Sequence, residues 1–118
     1  MLKKMQLQVI SLACVTMACS LQPAFAQTAT SAGTITAIGT GWSSDSFGVA
    51  TTAPIVNPAG CSQTSSYEAS STAPGYNTYY AAILTAYSTG SSVTIIVSNT
   101  TCTQNFPTII GLNVNPAT

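Results

Sequence analysis

The chain is nearly without charged side chains, and the few that it has are unevenly placed. Its 118 residues contain two Lys, one Asp, one Glu and neither Arg nor His. Lys3 and Lys4 lie at the N-terminus, whereas Asp45 and Glu68 lie in the rest of the chain. A surface that binds phosphates needs Lys or Arg to displace counterions, so this composition argues against a nucleic-acid partner.

The shortage of reactive side chains also argues against an enzyme. Without His, nucleophilic triads and zinc sites lack their usual parts. Asp45 and Glu68 are the only pair of acids, and a glycosidase would need its two carboxylates about 5 to 10 Å apart across a cleft. Two isolated acids do not form such a motif. We therefore expect a non-catalytic protein with no cofactor and no metal site.

The N-terminus has the order of a secretory signal peptide. Two lysines precede an apolar run from about Leu7 to Leu21, and the small-residue tripeptide AFA ends at Ala26. This order predicts cleavage after Ala26, removal of residues 1–26, and a single domain over residues 27–118 that is secreted or periplasmic in a bacterium. The apolar run is shorter than the roughly 20 residues of a transmembrane helix, so no membrane insertion is expected after cleavage.

Cysteine spacing predicts one disulfide in the remaining domain. Cleavage removes Cys14 and Cys19, and the residues before each of them suit a lipoprotein anchor poorly. Cys61 and Cys102 remain, 41 positions apart, and closing a loop of that length is worth about 4 kcal/mol in the chain-entropy model. A small exported domain buries a thin core and gains from such a link. A metal or redox pair is disfavoured because neither CxxC spacing nor His accompanies it.

Hydroxyl groups rather than charges must keep this domain in solution. Ser and Thr together make up 31 of residues 27–118. Because there is so little net charge, copies of the domain repel one another weakly, which favours a homo-oligomer or packing against a protein partner.

Alternating apolar residues and turn signals predict a mainly β domain with one helix, in the order β-β-β-α-β-β. The five strands are expected around residues 33–39, 47–49, 66–71, 93–97 and 108–114. In the first strand Ile35 and Ala37 should share a face. In the last strand one face should hold Ile110, Leu112 and Val114.

The helix is predicted over about 78–88. Asn77 is a suitable N-cap, and Gly90 lies where a left-handed C-cap is needed. Tyr76 and Tyr79 should face away from the core and are candidates for a contact surface. A stripe spaced i, i+3, i+4 and i+7 should pack in the core, and its members are Tyr80, Ile83, Leu84 and Tyr87.

The element order fits a five-stranded Greek-key barrel with a helix between strands three and four, the OB-fold. Within it the segment AYSTGSSVTIIV, residues 86–97, resembles the helix-to-strand junction in the B subunits of subtilase cytotoxin and related AB5 toxins. Elsewhere the resemblance rests on length, element order and a cysteine on each side of the helix. It implies a secreted OB-fold that assembles as a ring of five and binds host glycans, although no sugar-binding residue of the family is matched here.

Four side chains are candidates for ligand binding: Trp42, Asp45, Tyr76 and Tyr79. An exposed indole such as Trp42 stacks well on a sugar ring, and covering one end of the barrel is its alternative role. Asp45 either accepts hydrogen bonds from sugar hydroxyls or caps the turn SSDS. Glu68 lies in a strand, where a solvated face is the expectation and a buried acid the alternative.

Three functions fit these features. The first is a secreted carbohydrate-binding module similar to a toxin B subunit. The second is a structural surface subunit such as a minor pilin, because pilins are also rich in Ser, Thr and Ala, poor in charge and carry one disulfide. The third is a small periplasmic inhibitor or accessory protein. Folding alone separates the first two, since a barrel closes its own sheet and a chaperone-dependent pilin lacks a strand.

Overall fold

The structure is a computed structural model that describes residues 27–41 and 43–117. The predicted signal peptide, residues 1–26, and Trp42 lie outside the described residues. Six strands and one helix are found in the described part of the chain. They are β1 (Gln27–Ala29), β2 (Gly33–Thr40), β3 (Ser46–Thr51), β4 (Tyr67–Ser70), α1 (Tyr76–Thr89), β5 (Ser92–Thr103) and β6 (Phe106–Val114).

Five of the strands pair in a closed circuit. β2 pairs with β3, β3 with β4, β5 with β6 and β5 with β2, all of them antiparallel. β4 and β6 complete the circuit in parallel, with Glu68 opposite Thr108. Each of these strands therefore has a neighbour on both edges, and the predicted mainly β class with one helix is confirmed.

A sixth strand corrects the predicted count of five. β1 pairs with the edge of β5 that faces away from β6, with Gln27 opposite Ser98, and β2 pairs with the same edge nearer the start of β5. Between them, Thr30 N–H donates to the Ile95 carbonyl at 2.9 Å, and Thr30 Oγ1 accepts from Ile95 N–H at 3.0 Å. β1 and β2 thus form one interrupted strand. The three residues of β1 are held by backbone bonds and show no apolar alternation, so the pattern missed them.

The core lies inside the circuit and under α1. Its strand residues alternate with outward-facing ones, as the period of two requires. Phe47 and Val49 on β3, and Tyr67 and Ala69 on β4, share the inner face. Each fully buried Val, Ile or Phe contributes about 1.5 to 3 kcal/mol. The buried apolar cluster consists of Phe47, Val49, Tyr67, Ala69, Ile83, Ala86, Val93, Ile95, Val97 and Ile109.

A β-bulge in β2 reverses part of the predicted facing. The pairing with β3 shifts between Ile35 and Ala37. The extra residue changes the alternation by one, so Ile35 and Ile38 both pack against the core while Ala37 faces outward. The prediction that Ile35 and Ala37 share a face is therefore wrong.

A second irregularity does the same in β6. Gly111 lies opposite Ile96 of β5, but the next residue of β5, Val97, lies opposite Ile109. Ile110 is therefore an extra residue in β6. Ile109 is fully buried, Ile110 is 38% exposed, and Leu112 packs partly buried against the core. The prediction that Ile110 and Leu112 share a face is wrong for the same reason, because the bulged residue breaks the period of two.

Of the two predicted caps of α1, only the C-terminal one is found in the structure. Gly90 has a φ of 69° and forms the predicted left-handed cap. The N-cap is Gly75 without a side-chain bond, so the prediction that Asn77 caps the helix is wrong. Among the described residues, no helix has both the length and the apolarity to cross a membrane.

The buried stripe of α1 is rotated relative to the predicted one. Ile83 and Ala86 are buried, and Tyr80 packs half buried beside them with Tyr76 and Tyr79. Leu84 and Tyr87 are 43% and 53% exposed, so their predicted place in the core is wrong. The spacing i, i+3 and i+7 holds for Tyr76, Tyr79 and Ile83. The same side of the helix continues to the small side chain of Ala86.

The disulfide between Cys61 and Cys102 is present as predicted, with Cα atoms 5.7 Å apart. It ties the loop between β3 and β4 to the end of β5. A two-residue turn, Gln104 and Asn105, follows with φ values of 48° and 70°, as in a type I′ hairpin. Gln63 N–H donates to the Asn105 carbonyl at 2.9 Å, so the loop and the hairpin tip are joined twice.

Candidate functional site

A pocket of about 510 Å³ opens on the outer face of β2, β3 and β4. Its volume lies in the range of roughly 300 to 1,000 Å³ that is typical of small-molecule sites. One wall is the loop before β4 and the other is the tip of the β5–β6 hairpin. The lining residues are Ala37, Gly39, Gly48, Ala50, Gln63, Ser66, Glu68, Gln104, Asn105 and Phe106.

The floor of the pocket is made of small residues on neighbouring strands. Ala37 lies opposite Ala50, and Gly39 lies opposite Gly48. The bulge after Ile35 turns Ala37 and Gly39 outward, onto the same face as their partners in β3. A Cβ built at Gly39 would meet no heavy atom within 4 Å, so this end of the floor is open. The pocket exists because Gly and Ala have side chains too small to fill this part of the outer face.

Glu68 provides the one charged group of the pocket among the residues described. It lies opposite Gly48 on β4, and only 6% of its surface is exposed. The prediction of a solvated strand face is wrong, because the disulfide-linked loop and the hairpin tip cover the outer face of β4 here.

A chain of hydrogen bonds fixes one side of the carboxylate. Ser46 Oγ donates to Glu68 Oε1 at 3.0 Å. Gln104 Nε2 donates to Ser46 Oγ at 3.2 Å and to Ser44 Oγ at 2.6 Å. The amide, the hydroxyl and the carboxylate are therefore aligned as donor, relay and acceptor, which holds Glu68 in one orientation.

The other carboxylate oxygen faces the pocket. Glu68 Oε2 accepts no hydrogen bond from the described residues, yet none of their fully buried polar side-chain atoms lacks a partner. Oε2 is therefore accessible, and the position of a Cβ on Gly48 would be 3.9 Å from it. A carboxylate oxygen is purely an acceptor, so this atom is available to a donor such as a ligand hydroxyl.

Two of the predicted site residues, Asp45 and Tyr76, meet each other away from this pocket. Tyr76 donates from its phenol to Asp45 Oδ1 at 2.9 Å. Partial burial raises the pKa of Tyr76, and the hydrogen bond to Asp45 and its charge raise it further. The Tyr76 ring packs on Phe47 with centroids 5.3 Å apart. This pair fastens α1 to the loop before β3.

Tyr79, the third predicted site residue, also has a partner within the fold. Its phenol donates to the Ile110 carbonyl at 2.7 Å, and its ring covers Gly75. Asp45, Tyr76 and Tyr79 do not line the pocket. The expectation that Tyr76 and Tyr79 face away from the core is wrong, because both pack partly buried against it.

The sequence does not predict most of the residues that line the pocket. For β3 the sequence does hold a signal: the alternating residues Ser46, Gly48 and Ala50 place only small side chains on its outer face. Gln104 and Phe106 gave no local signal, because their part in the pocket depends on where the hairpin tip folds back. Only the disulfide pair indicated that this tip would lie near the loop before β4.

The groups that line the pocket can form hydrogen bonds and an aromatic contact. Within residues 27–41 and 43–117 no group of three or more His, Cys, Asp and Glu side chains is placed to hold a metal ion. Both cysteines of this part are in the disulfide. The pocket offers a carboxylate acceptor, amide groups that both donate and accept, and the ring of Phe106.

No protein-family model, curated protein or solved structure matches the chain.

Proposed function

We propose that the protein is an exported, non-catalytic carbohydrate-binding module and that the pocket beside Glu68 is its binding site. The observation that supports this most directly is a buried carboxylate with one oxygen open to a hollow of small residues. Sugars present hydroxyl donors along their edges and apolar C–H faces. The carboxylate and the amides of Gln63 and Asn105 suit the first, and the ring of Phe106 suits the second.

The strand order supports an OB-fold as the framework. Around the circuit the strands follow β2, β3, β4, β6, β5 and back to β2, and α1 lies between the third and fourth strands of the circuit in chain order. OB-folds bind oligonucleotides and oligosaccharides on the face of their second and third strands, flanked by two loops. The pocket lies on β3 and β4, beside the tip of the last hairpin. β1 is then an extension of the first barrel strand.

Export and a ring-shaped assembly are part of the same proposal. The lysine-led N-terminus and the disulfide both fit an oxidising compartment outside the cytoplasm. A ring of five, as the toxin B-subunit resemblance implies, would multiply weak sugar contacts through avidity. The closed circuit of strands speaks against a minor pilin, which would lack a strand and need a chaperone.

A glycan screen followed by calorimetry tests the site. The oxidised protein, purified from a bacterial periplasm, is compared with Gly48→Ala and Gly111→Ala. An added methyl at Gly48 makes only ordinary contacts of 3.6 Å or more and enters the pocket beside Glu68 Oε2. At Gly111 the nearest atoms, 3.5 Å away, belong to Ile96, outside the pocket.

The expected result is glycan binding by the native protein and by Gly111→Ala, and a loss of about tenfold or more for Gly48→Ala. That loss corresponds to about 1.4 kcal/mol of binding free energy. Failure of the native protein to bind any glycan would overturn the proposal. Binding as tight as that of the native protein in both Gly48→Ala and Gly111→Ala would show that the site lies elsewhere on the domain.

Light scattering after gel filtration tests the assembly. A mass near five times that of the monomer supports the toxin-like ring. A folded monomer would remove the ring from the proposal and leave the single-site binding function to be judged by the glycan screen.

A further inference from the structure

The residues that line the pocket include one negatively charged side chain, Glu68, and no positively charged one. From residue 27 onward the sequence has no Lys, Arg or His, so no cationic side chain can face a ligand. Arg, Lys and helix N-termini are the groups that most often supply a favourable charge to anionic ligands. The N-terminal turn of α1 does not line this pocket. An anionic sugar would therefore find no charge partner here.

Glu68 adds a specific obstacle to anions. Glu68 is 94% buried as a residue, and its Oε1 accepts from Ser46, which in turn accepts from Gln104. The carboxylate therefore cannot turn away from a bound ligand without breaking the bond to Ser46. In a partly desolvated pocket, like charges repel strongly, and a carboxylate on the ligand has no proton to donate to Glu68 Oε2. A neutral hydroxyl can donate to this oxygen.

We infer that the pocket selects uncharged sugars and rejects anionic ones, sialic acids included, with Glu68 as the specificity-determining residue. This inference rests on the proposed carbohydrate-binding function and specifies the ligand of the same site. One ligand hydroxyl donates to Glu68 Oε2. The amides of Gln63 and Asn105 exchange hydrogen bonds with other hydroxyls, and the ring of Phe106 covers an apolar face of the sugar.

The volume sets the size of the ligand. About 510 Å³ fits the terminal part of a glycan rather than a long chain. The open end of the floor at Gly39 gives the rest of the glycan a path to solvent.

The test uses pairs of glycans that differ only in a terminal sialic acid, such as lactose and sialyllactose. Dissociation constants are measured for the oxidised native protein, for Glu68→Gln and for Asp45→Asn. Glu68→Gln removes the charge and keeps an oxygen for Ser46. Asp45→Asn removes the other acid of the domain, keeps an oxygen for Tyr76, and lies outside the pocket, so it controls for net charge.

The native protein should bind the uncharged glycan about tenfold or more tightly than its sialylated counterpart, since juxtaposed like charges cost several kcal/mol. Glu68→Gln should weaken binding of the uncharged glycan by roughly tenfold, because a bond to a charged acceptor is replaced by a neutral one. The same variant should bring the two affinities close together. Asp45→Asn should retain the native preference.

Three results would count against the inference. Equal or tighter binding of the sialylated glycan by the native protein overturns the inference and leaves the proposed function standing. A loss of preference in Asp45→Asn equal to that in Glu68→Gln assigns selectivity to net charge and also overturns it. Failure of the native protein to bind any glycan of any pair overturns the proposed function itself. If Glu68→Gln fails to fold, the preference of the native protein and of Asp45→Asn still decides.

Discussion

Ile83 and Leu84 are consecutive residues of α1, yet Ile83 is fully buried in the core and Leu84 is 43% exposed. An α-helix has 3.6 residues per turn, so neighbours along the chain lie about 100° apart around its axis. The closed circuit of strands covers the side of α1 that holds Ile83 and Ala86. Only one of the two large aliphatic side chains therefore contributes fully to the core.

This difference predicts unequal effects of two matched truncations. Ile83→Ala should lower the free energy of unfolding by about 2 to 5 kcal/mol, because it leaves a cavity. Leu84→Ala should change it by about 0.5 kcal/mol or less, as is usual for surface positions. Urea unfolding of both variants measures the difference. Similar losses in the two would mean that the helix packs by another face.

The disulfide should stabilise the domain and keep the pocket walls together. Replacing Cys61 and Cys102 by Ala should lower the free energy of unfolding by about 4 kcal/mol. Gln63 and Asn105 should also lose their mutual order, so the proposed glycan binding should weaken in the fraction that remains folded. Intact mass after alkylation without reductant provides the control on the native protein. Two alkylated thiols in the native form would contradict the link.

Two glycines of β2 should respond differently to the same substitution. A Cβ at Gly33 would lie 2.6 Å from the backbone N of Ala53, which has little room to move. Gly33→Ala should therefore lower the free energy of unfolding by roughly 1 to 3 kcal/mol through overpacking. Gly39→Ala meets no atom within 4 Å and should leave stability near the native value. Thermal unfolding of the two variants decides, and an equal loss would contradict the close approach at Gly33.

The sequence was sufficient for features that depend on local chemistry. Alternating apolar residues predict strands around residues 47–49 and 66–71, which is where β3 and β4 lie. Gly90 marked the end of the helix because few other residues adopt a left-handed cap. The strand β1 and the two bulges left no such signal, since backbone pairing and register depend on neighbours distant in the chain.

The site was harder to predict for the same reason. Glu68 was recognised as a possible buried acid, but its burial depends on the loop before β4 and on the tip carrying Gln104. Asp45 and Tyr76 are predicted as ligand-binding groups, but in the structure the Tyr76 phenol donates a hydrogen bond to Asp45. Residue type alone does not distinguish a group that binds a ligand from one that fastens two elements.

Stability should fall in alkaline solution, and Tyr67 should account for part of the fall. The Tyr67 side chain is buried, and burial raises the pKa of its phenol, although a hydrogen bond from Val56 N–H opposes this with a smaller effect. An unfolded tyrosine ionises near pH 10. Between that pH and the higher folded pKa, the unfolded chain binds fewer protons than the native one, so the free energy of unfolding decreases as the pH rises.

Urea unfolding of the native protein and of Tyr67→Phe, measured from neutral pH to above pH 10, tests this dependence. Tyr67→Phe should be less stable at neutral pH, because Val56 N–H loses its partner. Above pH 10 its stability should decline less steeply than that of the native protein. Some decline should remain, because Tyr76 also has a raised pKa. Parallel pH curves for the two proteins would show that Tyr67 ionises with the same pKa in the folded and unfolded states.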